Sequence, residues 1–351
     1  MRRLILGLAA LLLIALGAAW LARDAIAIAL FRQGMRQALA GDPLRGRADA
    51  LSAALCGTGS PMAAPDRLGP CTVVTAGAHV FLIDAGEGAV RGLTRIGYPP
   101  ARIEAAFLTH LHSDHLDGLG GVALNHWAAG AAQAPLPLYG PAGVEQVAAG
   151  FNQAYAIDRG YRIAHHGPRV VPPAGFGLAA RPVPPGVIFD RDGLRVTAFL
   201  VDHGPVKPAL GYRFDYKGRS LAISGDTAPS ASLVRAARGV DVLVHEALSP
   251  RLVAIQREEA ARAGRPNVAK IFADIPGYHT SPEDAARIAT RAGAKTLLLT
   301  HIIPPLPYSI LEGPFLGDAR ARFTGRLIVG RDGDELVLPV GTDAMRQERR
   351  F

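Results

Sequence analysis

Three histidines and one aspartate lie within six residues of this chain, at positions 110–115. They directly follow the apolar run at 105–109, which predicts a buried strand. A loop at a strand end can direct alternate side chains inward, so we predict that His110 and His112 bind one metal ion. Asp114 and His115 then bind a second ion beside it. Imidazole nitrogens combined with a carboxylate oxygen favour zinc, and manganese or iron would also fit.

Four later apolar runs also end in residues that can bind a metal or transfer a proton. These residues are Asp202, His203, Asp226, His245, Glu246 and His301. If the strands lie in one sheet or in two packed sheets, their ends meet at one rim. We predict that the Asp226 carboxylate bridges two ions, with His203 completing the first site and His301 the second. A hydroxide held between the ions would be the nucleophile, because their charge lowers its pKa toward neutrality.

Eight short motifs follow one another in an order typical of a known family. They are GTGSP at 57–61, DAGEG at 84–88, HLHSDH at 110–115, GYR at 211–213, GDT at 225–227, HEA at 245–247, YHTS at 278–281 and TH at 300–301. With these motifs the chain resembles the metallo-β-lactamase superfamily, in the branch of tRNase Z-type phosphodiesterases and arylsulfatase-like hydrolases. The resemblance covers about residues 55–301.

The resemblance implies an α/β fold of four layers, αββα, and a binuclear metal-dependent hydrolase that cleaves ester bonds. One metal would take His110, His112, His203 and Asp226, and the other Asp114, His115, Asp226 and His301. His279 would be the general acid, with Glu246 orienting it. The predicted catalytic residues are Asp114, His245, Glu246 and His279. Asp84 is predicted to support the site without binding metal.

The N-terminus predicts a membrane anchor or a signal segment at residues 1–31. Arg2 and Arg3 precede an apolar run of about 19 residues, which is long enough to span a bilayer. The basic end should stay cytoplasmic, which places the rest of the chain outside the cytoplasm; if the source is a Gram-negative bacterium, this is the periplasm. An uncleaved anchor is favoured over a cleaved signal peptide. A connector at 32–50 and a hydrolase domain at 51–351 follow.

Cys56 and Cys71 are the two cysteines of the chain. Neither has a second cysteine at the spacing of a zinc ribbon or a redox pair, so thiolate metal binding is not expected. In an exported domain the two would form a disulfide, whereas in the cytosol they would be two small buried hydrophobic residues.

The net charge of +8 suits an anionic substrate, an anionic membrane surface or nucleic acid, but the chain has no dense Lys/Arg block. In the tRNA-processing enzymes an inserted arm usually separates the GYR and GDT motifs, whereas here residues 216–220 predict only a hairpin turn. We therefore expect small anionic esters, sulfates or phosphodiesters, as substrates and no nucleic-acid partner. Substrate contacts are predicted at Tyr155, Arg159, Arg162 and His166.

Three alternatives remain open from the sequence. The first is a tRNA 3′-end processing endoribonuclease, and the second is a lactone or β-lactam hydrolase, which needs no acid for the leaving group. The third is a binding module that has kept the fold, although binding alone would not require seven metal ligands. The oligomeric state cannot be predicted from these residues.

Overall fold

The computed structural model describes residues 2–40, Leu44 and residues 47–351, and it forms two compact units, Met1–Gly46 and Arg47–Phe351. The first unit contains helices α1 (Arg2–Leu21) and α2 (Arg23–Ala40). The stretch Arg3–Leu21 of α1 has a mean hydropathy of 2.6 and none of it is buried. Length and composition suit a membrane span and a signal sequence equally, so the location of the catalytic domain stays a prediction.

The predicted connector at 32–50 falls partly outside the described residues. Its first part, through Ala40, is helical and belongs to α2. The first strand of the second unit begins at Ala50, one residue before the predicted start of the hydrolase domain.

The second unit is built from fifteen strands among the described residues. The first eight are β1 (Ala50–Gly57), β2 (Cys71–Ala76), β3 (His79–Ile83), β4 (Ala105–Phe107), β5 (Leu136–Gly140), β6 (Leu178–Pro182), β7 (Gly186–Arg191) and β8 (Leu194–His203). The others are β9 (Val206–Tyr216), β10 (Arg219–Ile223), β11 (Val242–Leu248), β12 (Thr296–Ile303), β13 (Arg326–Val329), β14 (Asp334–Pro339) and β15 (Arg346–Arg349). Strands β9 and β10 are joined by a short turn, as the residues at 216–220 predict.

The strands form two sheets that pack face to face. One has the order β15-β14-β1-β2-β3-β4-β5-β6 and the other β13-β12-β11-β10-β9-β8-β7. Aromatic rings fill the space between them: Phe107 lies 5.5 Å from Phe81 and 5.4 Å from Tyr212, both edge to face. Large rings in edge-to-face contact contribute strongly to a core, so this layer holds the two sheets together.

Ten α-helices accompany the two sheets in the described part of the second unit. They are α3 (Ala89–Arg95), α4 (Leu119–Gly130), α5 (Val144–Ala154), α6 (Ala156–His166), α7 (Ala231–Ala236), α8 (Pro250–Arg262), α9 (Pro266–Asp274), α10 (Pro282–Ala292), α11 (Glu312–Leu316) and α12 (Ala319–Arg322). Helices α3, α4 and α5 contact the first sheet, and α7 and α10 contact the second. The predicted αββα arrangement is confirmed. Ser281 caps α10 by accepting a hydrogen bond from the Asp284 amide at 3.0 Å.

Cys56 and Cys71 form a disulfide between the end of β1 and the start of β2, and they are 15 residues apart. The bond closes the loop that contains residues 57–61. Cys71 also lines a small cavity together with His115, Asp226 and His301. The disulfide is therefore close to the rim of the sandwich where the predicted ligands lie.

We expect the double variant C56S/C71S to unfold with a free energy about 3 kcal/mol smaller than the wild type, because the disulfide restricts the unfolded chain. Urea denaturation without reductant measures the difference, and wild-type protein treated with reductant should fall to the same value. Maleimide labelling of the unfolded, unreduced protein provides the second readout. Two labelled thiols in protein from its native location would contradict both the disulfide and the predicted oxidising compartment.

Candidate metal centre

The loop after β4 leaves the first sheet at the carboxyl end of this strand and is hydrogen-bonded to both sheets. The Leu108 amide donates to the Tyr139 carbonyl at 2.7 Å, and the Leu210 amide of the second sheet donates to the Thr109 carbonyl at 2.8 Å. A single 3₁₀ turn, Ser113–His115, then folds the loop back on itself. These bonds fix the backbone from which the four predicted ligands of positions 110–115 project.

His110, His112 and His203 form the first group of converging nitrogens. Nε2 of His110 lies 3.0 Å from Nδ1 of His112, and Nε2 of His203 lies 3.4 Å from the same atom. His203 ends β8, where the pairing with β9 shifts register after Val201. A register shift of this kind redirects side chains at the end of a strand.

Asp114, His115 and His301 form the second group. Oδ2 of Asp114 lies 3.5 Å from Nε2 of His115 and 3.3 Å from Nε2 of His301. His301 is the extra residue of a bulge in β12, and its φ of 47° is in the left-handed region. This conformation is uncommon for residues other than glycine, and here it accompanies the approach of the ring to the cluster.

Asp226 lies between the two groups. Its Oδ2 is 3.9 Å from Nε2 of His110 and 3.3 Å from Nε2 of both His115 and His301. The preceding residue, Gly225, has a φ of 62°, and a Cβ there would lie 2.7 Å from the Thr109 Cβ. Glycine is therefore required for the close approach that places Asp226 between the groups, the position predicted for a bridging ligand.

The cluster has the chemistry of a divalent-metal site. Nε2 of His115 and Oδ1 of Asp226 are buried and have no hydrogen-bond partner among the described residues. Unpaired buried polar atoms are costly, and a bound cation would satisfy both. Two ligands of a tetrahedral zinc ion lie about 3.3 Å apart, given bond lengths of about 2.0–2.1 Å. The spacings of 3.0–3.5 Å within the two groups fit this geometry.

Hydrogen bonds to the outer ring nitrogens orient the histidines. Nδ1 of His115 donates to Oδ2 of Asp84 at 2.9 Å, and Nδ1 of His203 donates to the Tyr278 carbonyl at 2.9 Å. Each bond leaves Nε2 with a free lone pair facing the cluster. Asp84 is itself held by the Thr109 amide at 2.8 Å and the Thr109 hydroxyl at 2.9 Å. The supporting position predicted for Asp84 agrees with these contacts.

The charges of the cluster suit a cation. Burial favours the neutral form of Asp226, but the neighbouring rings of His301 and His115 hold the pKa of its carboxyl well below its ordinary value. Asp226 is therefore ionised at neutral pH.

His279 and Glu246 form a buried pair beside the two groups. Nδ1 of His279 donates to Oε1 of Glu246 at 3.1 Å and lies 4.0 Å from Oδ2 of Asp226. Burial lowers the pKa of His279, but the charge and hydrogen bond of Glu246 and the charge of Asp226 outweigh it and raise that pKa to about 9. His279 is therefore protonated at neutral pH in the metal-free protein.

His245, which was predicted as catalytic, is not part of the two ligand groups or of the His279–Glu246 pair. Residues alternate between the two faces of a strand, so His245 shares a face of β11 with Leu243, and Glu246 shares the other with Val244. Leu243 belongs to the core beneath the outer helices and Val244 to the core between the sheets. Glu246 contacts His279, whereas Nδ1 of His245 donates to the Glu246 carbonyl at 2.7 Å.

The predicted substrate residues lie on or beside α6, and their contacts among the described residues are not with the metal cluster. Tyr155 packs on Gly120 of α4, Arg159 donates to the Pro173 carbonyl at 3.3 Å, and Arg162 pairs with Asp158 at 2.6 Å. His166 is exposed and contacts the ring of His165. The structure therefore does not bring these four residues to the centre. Each of them is exposed or contacts residues of the neighbouring helices and loops instead.

Comparison with known proteins places the chain in a family. A domain described as "Beta-lactamase superfamily domain" matches residues 79–302. The chain belongs to the beta-lactamase superfamily.

Among the curated members of this superfamily, "Ribonuclease Z" of Mycobacterium bovis (strain BCG / Pasteur 1173P2) is 38% identical over 284 residues, covering 80% of this chain and 96% of the relative. "Ribonuclease Z" of Mycobacterium avium (strain 104) is 39% identical over 280 residues, covering 79% and 95%. The solved human tRNase Z, short form, has a TM-score of 0.57 at 23% identity, covering 82% of this chain and all (100%) of that one. The metallo-beta-lactamase fold protein YhfI of Bacillus subtilis has a TM-score of 0.60 at 19% identity, covering 82% and 99%.

These relatives correct one expectation from the sequence. We expected small anionic esters as partners and no nucleic acid, and this is wrong, because the relatives at 38–39% identity are ribonucleases. The expectation rested on the short turn between the GYR and GDT motifs. Relatives named Ribonuclease Z align with this chain over 284 residues, so that turn does not separate it from them. They favour the alternative function over arylsulfatase-like activity.

Proposed function

We propose that this metallo-β-lactamase fold hydrolase is a phosphodiesterase of the ribonuclease Z type that cleaves precursor tRNA near its 3′ end. The observation that carries the proposal is the His279–Glu246 pair, whose imidazole lies 4.0 Å from the Asp226 carboxylate. Cleavage of a ribose phosphodiester expels an alkoxide, which needs a proton, and the protonated imidazole of His279 can supply it. The relatives named Ribonuclease Z support RNA as the substrate.

We propose two zinc ions as cofactors, with manganese or iron as substitutes. His110, His112, His203 and Asp226 would hold one ion, and Asp114, His115, His301 and Asp226 the other. When bound, such ions supply an activated water and neutralise charge on the phosphoryl oxygens. The orienting bonds to His115 and His203 support this assignment, because metal-binding histidines usually donate their other ring nitrogen to a carboxylate or a carbonyl.

The protein side chains position and move the proton. Oε1 of Glu246 accepts from the Thr280 amide at 3.0 Å and the Thr227 amide at 3.2 Å, as well as from His279. These bonds fix the carboxylate, which in turn fixes the His279 ring and leaves its Nε2 to donate to the leaving oxygen. Thr227 and Thr280 were not singled out from the sequence, although each stands in a motif beside a predicted site residue.

We expect the zinc-loaded protein to cleave a tRNA transcript with a 3′ trailer and to release the trailer as a single product. Gel electrophoresis of end-labelled transcript measures the reaction. His112→Ala should abolish cleavage. The matched control is His79→Gln, which should cleave like the wild type. His79 lies at the start of β3 and pairs with Glu104 and Asp192 instead of the candidate metal ligands. Turnover of aryl sulfates without cleavage of the transcript would refute the proposal.

A further inference from the structure

Tyr278 stands next to the proposed general acid and is held against the metal centre. Its ring centroid lies 5.1 Å from that of His279 and 5.2 Å from that of His203, to which it is nearly perpendicular at 84°. Its carbonyl accepts the Nδ1 hydrogen bond of His203. The β8–β9 hairpin approaches closely at Gly204, where an added Cβ would lie 3.1 Å from the Tyr278 Cβ. The ring is therefore fixed relative to both histidines.

The Tyr278 side chain borders an apolar cluster and remains partly exposed. Tyr278 packs against a buried cluster formed by Leu248, Val253, Ile275 and Ile303. The side chain is nevertheless only half-buried, and its hydroxyl has no hydrogen bond within the described part of the chain. No hydrogen bond of the phenol explains a tyrosine here, and part of the side chain is accessible beside the centre.

We propose that Tyr278 stacks on a nucleobase of the RNA, at the nucleotide that carries the leaving oxygen. This inference rests on the proposed function. His279 would protonate the leaving oxygen. The Tyr278 ring lies beside His279, so it is within one nucleotide's length of the sugar that carries this oxygen. Every nucleobase presents a π face, so a tyrosine here holds the strand without selecting a sequence. The stack would hold the nucleotide beside the scissile phosphate. This chain has only a short turn between β9 and β10, where tRNA-processing enzymes usually carry an inserted arm.

A double-mutant cycle between the ring and the base tests this contact. Tyr278→Ala should raise KM for the 3′-extended transcript roughly tenfold and change kcat little, and Tyr278→Phe should behave as the wild type. A transcript with an abasic nucleotide on the leaving side of the scissile phosphate should show the same loss with wild-type protein. Combining Tyr278→Ala with the abasic transcript should add no further loss, because the same contact is already absent.

The controls separate stacking from a structural role. Phe351→Ala removes a 39% exposed ring at the C-terminus and should leave KM unchanged. Additive losses in the cycle, or an equal loss with Tyr278→Phe, would overturn the inference while cleavage by the wild type still stands. If the wild type cleaves no transcript, the proposed function fails and the inference with it.

Discussion

Replacing Asp226 by alanine is expected to release both metal ions and to lower phosphodiesterase activity on the order of 10⁴-fold. The carboxylate oxygen Oδ2 lies within 3.3–3.9 Å of three histidine nitrogens that belong to both ligand groups. Without the Asp226 carboxylate, each ligand group keeps three ligands, but the two groups lose the negative charge that lies between them. Elemental analysis of dialysed protein measures the metal content, and activity is measured on the same sample.

Two further variants make this result specific. Asp226→Asn keeps the volume and removes the charge, so it should also lose metal. The control is Asp241→Asn, at a buried aspartate whose Oδ2 lies 3.1 Å from Nε of Arg219 and which is not part of the centre. This variant should keep two ions per chain while losing some stability. Two ions per chain in Asp226→Ala would show that the carboxylate does not bridge.

Replacing His279 by alanine is expected to slow the cleavage of substrates with poor leaving groups by roughly 10²–10⁴-fold. p-Nitrophenyl esters should be affected far less, because p-nitrophenolate leaves without a proton. The slope of log kcat against leaving-group pKa, measured over a series of aryl and alkyl phosphodiesters, gives the answer. A uniform loss over the whole series would assign His279 a structural role instead.

Glu246→Gln provides the matched test of pH dependence. Glu246 raises the pKa of His279, to about 9 in the metal-free protein, and bound cations lower it from that value. The acid works only when protonated, so cleavage of poor leaving groups falls as the pH rises through this pKa. Removing the Glu246 charge lowers the pKa further, so the alkaline limb of the kcat profile should shift to lower pH. An unshifted limb would mean that another group is the acid.

The sequence predicts that the candidate ligands converge, because ligand position and strand position are linked. Apolar runs are readily recognised, and the carboxyl ends of β4, β8, β10 and β12 carry the ligands. The histidines of positions 110–115 and the Ser281 cap follow from such local patterns. The resemblance added the His279–Glu246 pair, which has no local signature, since its two residues meet only through the fold.

The remaining errors have physical causes. The prediction for His245 did not use the alternation of β11, by which His245 and Glu246 lie on opposite faces of the strand, with Glu246 on the face that meets His279. The residues of α6 were chosen for chemical type alone, and surface side chains carry no periodic signal that states which way they face. The substrate was misjudged because fold and metal ligands are shared by many hydrolases, and the length of one turn does not decide among them.

The ligand groups come from both halves of the sandwich, and this couples the cofactor to the architecture. Positions 110–115 belong to the first sheet, while His203, Asp226 and His301 belong to the second. Bound ions would therefore cross-link the two sheets at the ends of their strands. Neither half of the polypeptide provides both ligand groups alone, so metal binding would be coupled to the packing of the two sheets, and chelation would weaken that packing.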